Sequence, residues 1–96
     1  MNDKKTYEEL MSDINAAARL VRVGMYYAHY KHPEIPYVVK GLAIIEENSE
    51  VAVRYASTTN SDVEFVRPLH KWLETVEWQG ETLPRFTLLA GPARPV

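Results

Sequence analysis

The chain has 96 residues, 46% hydrophobic and 25% charged, with a formal net charge of -2, a balance that fits one globular domain and favours neither a disordered chain nor membrane residence. The negative charge argues against a surface that coats nucleic acid by neutralising phosphates, so nucleic acid is not an expected partner. Cysteine is absent, which removes disulfides, thiol nucleophiles and thiolate metal sites and suits a reducing compartment.

Apolar runs such as Gly41-Leu42-Ala43-Ile44-Ile45 fall far short of the roughly 20 residues that cross a bilayer. Met1-Asn2-Asp3-Lys4-Lys5 runs into an acidic, polar segment with no signal-peptide core. The expected location is cytoplasmic, with no membrane partner.

Thr6-Tyr7-Glu8-Glu9 has the form of a capping box, in which the threonine hydroxyl and the glutamate three residues on satisfy each other's backbone N–H groups. Tyr7, Leu10, Met11, Ile14, Ala17, Ala18 and Val21 then recur at helical spacing. The pattern predicts an amphipathic helix over residues 6–21. Its stripe is expected to pack on the following domain or to pair with a second copy of the chain, giving a homodimer through this helix.

After Val23-Gly24 the period changes to two. Met25 to Lys31 reads as an aromatic strand, and His32-Pro33-Glu34-Ile35-Pro36 as a turn that breaks any ladder. Tyr37 to Glu46 reads as a long strand bent at Gly41, and Glu50 to Ala56 as the returning strand with Val51, Val53 and Tyr55 inward. Ser57 to Asp62 reads as a polar loop. Val63 to Arg67 is a strand that ends at Pro68 and tips into one helical turn through Trp72. Thr75-Val76-Glu77-Trp78 and Glu81-Thr82-Leu83 flank Gln79-Gly80, a hairpin turn.

These elements predict a mainly β domain: a small SH3-like barrel of five or six short strands, an N-terminal amphipathic helix and one short helical turn after Pro68. The expected divisions are the helix over residues 1–22, the barrel over 23–86 and a fraying C-terminal tail over 87–96.

Gly24-Met25-Tyr26-x-x-His29-Tyr30-Lys31, Tyr37-x-Val39 with Gly41 and Ala43, Val66-Arg67-Pro68-Leu69, and Val76-x-x-x-Gly80-x-x-x-Pro84-Arg85-Phe86 follow one another in order. This succession resembles a small bacterial family called domain of unknown function 1653, with G-x-Y-x-H-Y-K, W-V-R-P-L and P-R-F motifs. The resemblance covers residues 23–86. It implies an SH3-type barrel and no established activity. Phe65 stands where the family has tryptophan, His32-Pro33 where it often has glycine, and Ile45 where a family histidine falls.

The residues themselves favour binding over catalysis. His29 and His32 straddle a strand end and lack a carboxylate ligand motif, and no serine elbow, P-loop or dinucleotide fingerprint is present. No catalytic residue, metal ligand or cofactor is assigned. The aromatic residues, interleaved with Lys31, Arg54, Arg67 and Arg85, are read mainly as core, with two or three left to line a groove.

Arg67 shares the parity of Val63 and Phe65, which turns it inward. The plain expectation for Arg67 and Arg85 is a structural ion pair with Glu64, Glu74 or Glu77. Loss of Arg67 is then expected to cost about 2–4 kcal/mol, and loss of Arg85 less. The functional expectation is recognition of a carboxylate, phosphate or peptide carbonyl by the guanidinium fork. The candidate ligand-binding set is Tyr26, His29, Tyr30, Lys31, Arg67 and Arg85. The expected partner is a protein segment or a small anionic ligand. The competing reading is a small enzyme using His29 with Arg67 or Arg85, or a nucleic-acid adaptor.

Overall fold

The computed structural model describes residues 5–89. Helix α1 spans Tyr7–Ala18 behind Thr6, whose hydroxyl accepts the Glu9 N–H at 3.1 Å while Glu9 Oε1 accepts the Thr6 N–H at 2.9 Å. The capping box therefore forms as the sequence predicts. Only one edge of the predicted stripe is covered, along Leu10, Ile14 and Ala17, and it continues into fully buried Val21 beyond the helix. Tyr7, Met11 and Ala18 stay exposed.

Seven strands follow, more than the five or six expected: β1 Tyr26–His29, β2 Tyr37–Ile45, β3 Glu50–Ser57, β4 Asn60–Pro68, β5 Thr75–Trp78, β6 Glu81–Pro84 and β7 Phe86–Leu88. Between β4 and β5 lies α2, Leu69–Trp72, with Pro68 as its N-cap. Five strands make an antiparallel sheet in the order β4-β3-β2-β1-β7, and β5-β6 form a separate hairpin.

The polar stretch after Ser57 is a tight turn. Ser57 pairs directly with Asn60, so β4 starts three residues before the expected Val63. Its hydroxyls hold the reversal: Ser57 Oγ accepts the Thr59 N–H at 3.1 Å, and Thr58 Oγ1 donates to the Pro36 carbonyl at 3.0 Å. Small polar residues read as loop because they compete for backbone groups; here that competition builds the turn. At the other end of the domain, Thr87 and Leu88 pair with Ala28 and Tyr27, so the sheet reaches into the segment assigned to the tail. The fraying expected of residues 90–96 lies outside the described residues.

A β-bulge separates Val39 from Gly41 and shifts the register against β3. The inward set on β2 thus changes from Tyr37 and Val39 to Leu42 and Ile44, which stand opposite Val53 and Val51. Gly41 sits in the bend, where the Arg54 guanidinium lies against its backbone and would have to move aside for a side chain. Inside the curl, Val21, Tyr27, Val39, Val53, Tyr55, Trp72 and Phe86 form the core. The Trp72 and Phe86 rings stack with centroids 3.7 Å apart and planes 4° from parallel.

The expected barrel does not close among the described residues. β4 and β7 remain separate edges of the sheet, since the chain between them is occupied by α2 and the β5-β6 hairpin. The curl nevertheless brings them together: the Arg67 guanidinium of β4 lies 5.8 Å from the Phe86 ring centroid of β7. Helix α1 packs on β2 and β3, with Ala16, Ala17 and Leu20 beside the β2–β3 turn at Asn48–Val51. It covers the end of the curl away from Tyr37 and Ser57. No helix among the described residues is long and apolar enough to cross a membrane.

Candidate functional site

The seam between the two free edges opens into a cavity of about 260 Å³ lined by His29, Tyr37, Tyr55, Phe65, Arg67 and Phe86. All five strands of the sheet contribute. Parity puts each side chain there: His29 is two residues past buried Tyr27, Tyr37 two before Val39, Tyr55 two past Val53, and Phe65 and Arg67 alternate along β4. The rings meet edge to face, as quadrupoles prefer, with Tyr55 and Tyr37 each packed against Phe86 at 5.6 and 6.1 Å and His29 at 5.2 Å.

Arg67 faces inward beside Phe65, as alternation predicts, but the ion pair expected for it does not form. Glu64, three residues before Arg67 and on the opposite face, pairs with Arg54 at 3.2 Å. Among the described residues Arg67 has no carboxylate partner. Its Nε donates a long 3.4 Å bond to the Tyr55 hydroxyl, and its guanidinium lies over Phe86. The cation is half-buried, set in an aromatic wall and, among the described residues, without a counter-charge.

His29 is neutral in this setting. Burial, the Arg85 and Arg67 charges, and to a lesser degree His32 and Lys31 hold its pKa below the usual imidazole value. Its Nδ1 accepts the Lys31 N–H at 3.1 Å, which keeps the proton on Nε2 and makes that nitrogen a donor.

Arg85 does form an ion pair of the kind expected, with Glu74. Its Nη2 meets Glu74 Oε1 at 3.2 Å, its backbone N–H donates to the Glu74 carbonyl at 2.9 Å, and its own carbonyl accepts from Tyr30 at 3.1 Å. These bonds fasten the β5-β6 hairpin to the end of β1. Its guanidinium and Lys31 Nζ each lie 5.9 Å from the Tyr30 ring, which packs edge-on against Trp78. Arg85 Nε is buried without a hydrogen-bond partner.

Of the six candidate residues, the structure brings His29 and Arg67 together in the cavity. Tyr30, Lys31 and Arg85 form the adjoining cluster, and Tyr26 lies on the opposite face of β1. Tyr37, Tyr55 and Phe65 belong to the aromatic set that the sequence assigns mainly to core, and Phe86 stands out in the sequence only through the Pro84-Arg85-Phe86 motif. Their shared parity with His29 and Arg67 was legible, but the open seam that turns them into a cavity was not. The histidines are dispersed: His32 approaches Glu34 and His70 approaches Glu50, each at 3.7 Å. Among the described residues no three metal-ligating side chains come together.

The family described as "Protein of unknown function (DUF1653)" matches residues 25–88, which contain all six cavity residues. A crystal structure of a DUF1653 protein from Bordetella bronchiseptica is similar with a TM-score of 0.64 and 32% identity, over 81% of this chain and 97% of that one. No curated protein shows detectable similarity to the chain. The motif succession from Gly24 to Phe86, the match over 25–88 and the shared fold agree: the chain belongs to the DUF1653 family.

Proposed function

We propose that this protein is a non-enzymatic binding domain whose seam cavity captures a carboxylate-bearing group, on a small ligand or on a protein segment. The observation that carries this reading is Arg67: a half-buried guanidinium, walled by Tyr55, Phe65 and Phe86, with no carboxylate of the described chain beside it. Removing a cation from water without a counter-charge is costly, and a planar anion is the partner its fork fits. His29 adds a neutral Nε2–H donor to the same site.

The cavity, about 260 Å³, is below the roughly 300–1,000 Å³ of drug-sized ligand sites, so it suits a group the size of one side chain. The free edge of β4, which supplies Phe65 and Arg67, offers backbone groups to an extended segment carrying that group. The scaffold itself reads as an SH3-type barrel left open along this seam, because the last strand returns to pair with the first after a short helix. Catalysis is less favoured: the lining holds no carboxylate or nucleophilic hydroxyl of serine or threonine, and His29 Nδ1 is already engaged.

Titration of the isotopically labelled chain with benzoate and with benzamide, followed by NMR, tests the reading. Benzoate is expected to shift the His29, Tyr55 and Phe86 resonances and benzamide to leave them in place, with Arg67→Gln removing the benzoate response. Equal responses to the two probes, or an unchanged response in Arg67→Gln, would refute recognition of an anion.

A further inference from the structure

The exposed face of α1 and of the turn that follows it carries two rows at four-residue spacing, Tyr7-Met11-Asn15-Arg19 and Glu8-Ser12-Ala16-Leu20, the second running along the border with the β2–β3 turn at Ala16 and Leu20. Tyr7 is 86% exposed, Met11 52% and Leu20 59%, an apolar content that a solvated helix face does not need. The rows have an internal symmetry. About a point midway between Ser12 and Asn15, Glu8 is as far as Arg19, Met11 as far as Ala16, and Tyr7 as far as Leu20.

From this juxtaposition we infer that α1 is the contact of a two-fold symmetric homodimer, with the helices antiparallel. A two-fold axis through that midpoint sets Glu8 against Arg19 of the second copy twice, a self-complementary charge pattern that an isologous interface requires. It sets Met11 over Ala16 and Ser12 by Asn15, so the centre is built from one flexible apolar side chain against small ones, and the axes can approach closely. Rows spaced by four pack into each other at about −50°, which splays the helix ends apart and leaves the two long charged pairs at the flanks.

The end of the stripe supplies an anchor site. Past Arg19 and Leu20 the surface continues into a groove of about 280 Å³ lined also by Leu73, Pro84 and Leu88, with Leu73 and Leu88 largely exposed. Tyr7 of the second copy, placed opposite Leu20, lies at the mouth of this groove, and an aromatic seated in such a pocket is the usual centre of interface energy. One helix stripe with its groove is small against the roughly 800 Å² per partner of standard interfaces, so the dimer is a concentration-dependent one. The groove shares Phe86 with the seam cavity, but the helix face itself contributes no residue to that cavity, and the inference does not depend on what the cavity binds.

Sedimentation velocity on the full chain, from about 1 μM to about 1 mM, spans the relevant range of dissociation constants. The wild type is expected to pass from monomer to dimer. Met11→Glu, Glu8→Arg alone or Arg19→Glu alone should weaken association at least about tenfold, and the Glu8→Arg/Arg19→Glu double swap should recover it to within about threefold. Circular dichroism on each variant confirms that the exposed substitutions leave the fold intact. A chain that stays monomeric throughout overturns the inference and leaves the stripe to a different protein. A dimer that Met11→Glu leaves intact overturns it too, and places the contact elsewhere, as on β4 where Val63, Phe65 and Val66 are exposed. A double swap no better than its single variants removes the antiparallel register.

Discussion

Arg67 and Arg85 invite a comparison that reverses the order expected from sequence. Arg67→Ala removes a guanidinium that lies over Phe86 at 5.8 Å, worth about 0.5–1 kcal/mol, and a bond to Tyr55 so long at 3.4 Å that it adds little. Against these losses stands relief, because a half-buried cation without a counter-charge leaves the protein. The net cost should be at most about 1 kcal/mol. Arg85→Ala removes a partly exposed ion pair with Glu74, worth about 0.5–1 kcal/mol after screening, a similar contact with Tyr30, and the packing of its stem between hairpin and β1, about 1 kcal/mol. Relief of the unpartnered Nε offsets part of this, leaving about 2 kcal/mol as the sum of these contributions.

Urea unfolding followed through buried Trp72 resolves the difference. With a slope near 1 kcal/mol per molar for a domain this size, the Arg85→Ala midpoint should fall about 1 M below that of Arg67→Ala. A midpoint for Arg67→Ala below that of Arg85→Ala would sink the argument, for it would mean that Arg67 holds the fold together through contacts its surroundings do not display.

Two further outcomes follow from the same geometry. His29 titrates below its ordinary value in the folded chain, so as pH falls below about 6.5 the unfolded chain takes up the proton first and this residue's share of stability is lost. A carboxylate in the cavity favours the charged ring, so benzoate affinity should rise severalfold as pH drops from about 7.5 to about 5.5, where the probe is still ionised; a flat profile, or an identical slope in His29→Gln, would remove His29 from the site. In the β5-β6 turn, Gln79 and Gly80 have φ of 52° and 83°, the type I′ geometry that prefers asparagine first. Gln79→Asn should raise the melting temperature by about 2–4 °C, equivalent to about 0.5 kcal/mol; no rise would mean that the turn relaxes its own strain.

Periodicity made much of the fold legible. The capping box at Thr6, the inward set Val51-Val53-Tyr55, the bend at Gly41 and the Gln79-Gly80 hairpin all depend on contacts within a few residues or on strict alternation, and such rules operate before tertiary context enters. What escaped depends on how distant parts meet. Ser57 to Asp62 looked like loop because hydroxyl-rich segments have two uses of their hydrogen bonds, and only the Pro36 carbonyl across the sheet selects the tight turn. The parity of Arg67 was readable, whereas its lack of a carboxylate was not: Glu64, its nearest candidate in sequence, faces the other way and is taken by Arg54.

The failure of the barrel to close was the largest departure, and the open seam it leaves is also what forms the cavity. Edge strands are normally hidden, charged or covered, yet β4 is nine residues long and carries Val63, Phe65 and Val66 in the open. If β4 and β7 had paired, Phe65, Arg67 and Phe86 would have met across a ladder, and the arginine would have been closed in without a counter-charge at a cost of several kcal/mol. Leaving the seam open keeps the guanidinium partly hydrated while the surrounding rings hold it in place. On the proposed reading, a group that brings its own negative charge enters without first displacing a protein carboxylate. The unpaired edge and the unpaired cation are thus one feature of the fold. It lies wholly within residues 25–88, the span shared with the family, while the self-complementary stripe of α1 lies wholly outside it. Substitutions at Met11 and at Arg67 should accordingly act independently, the first on association and the second on the cavity.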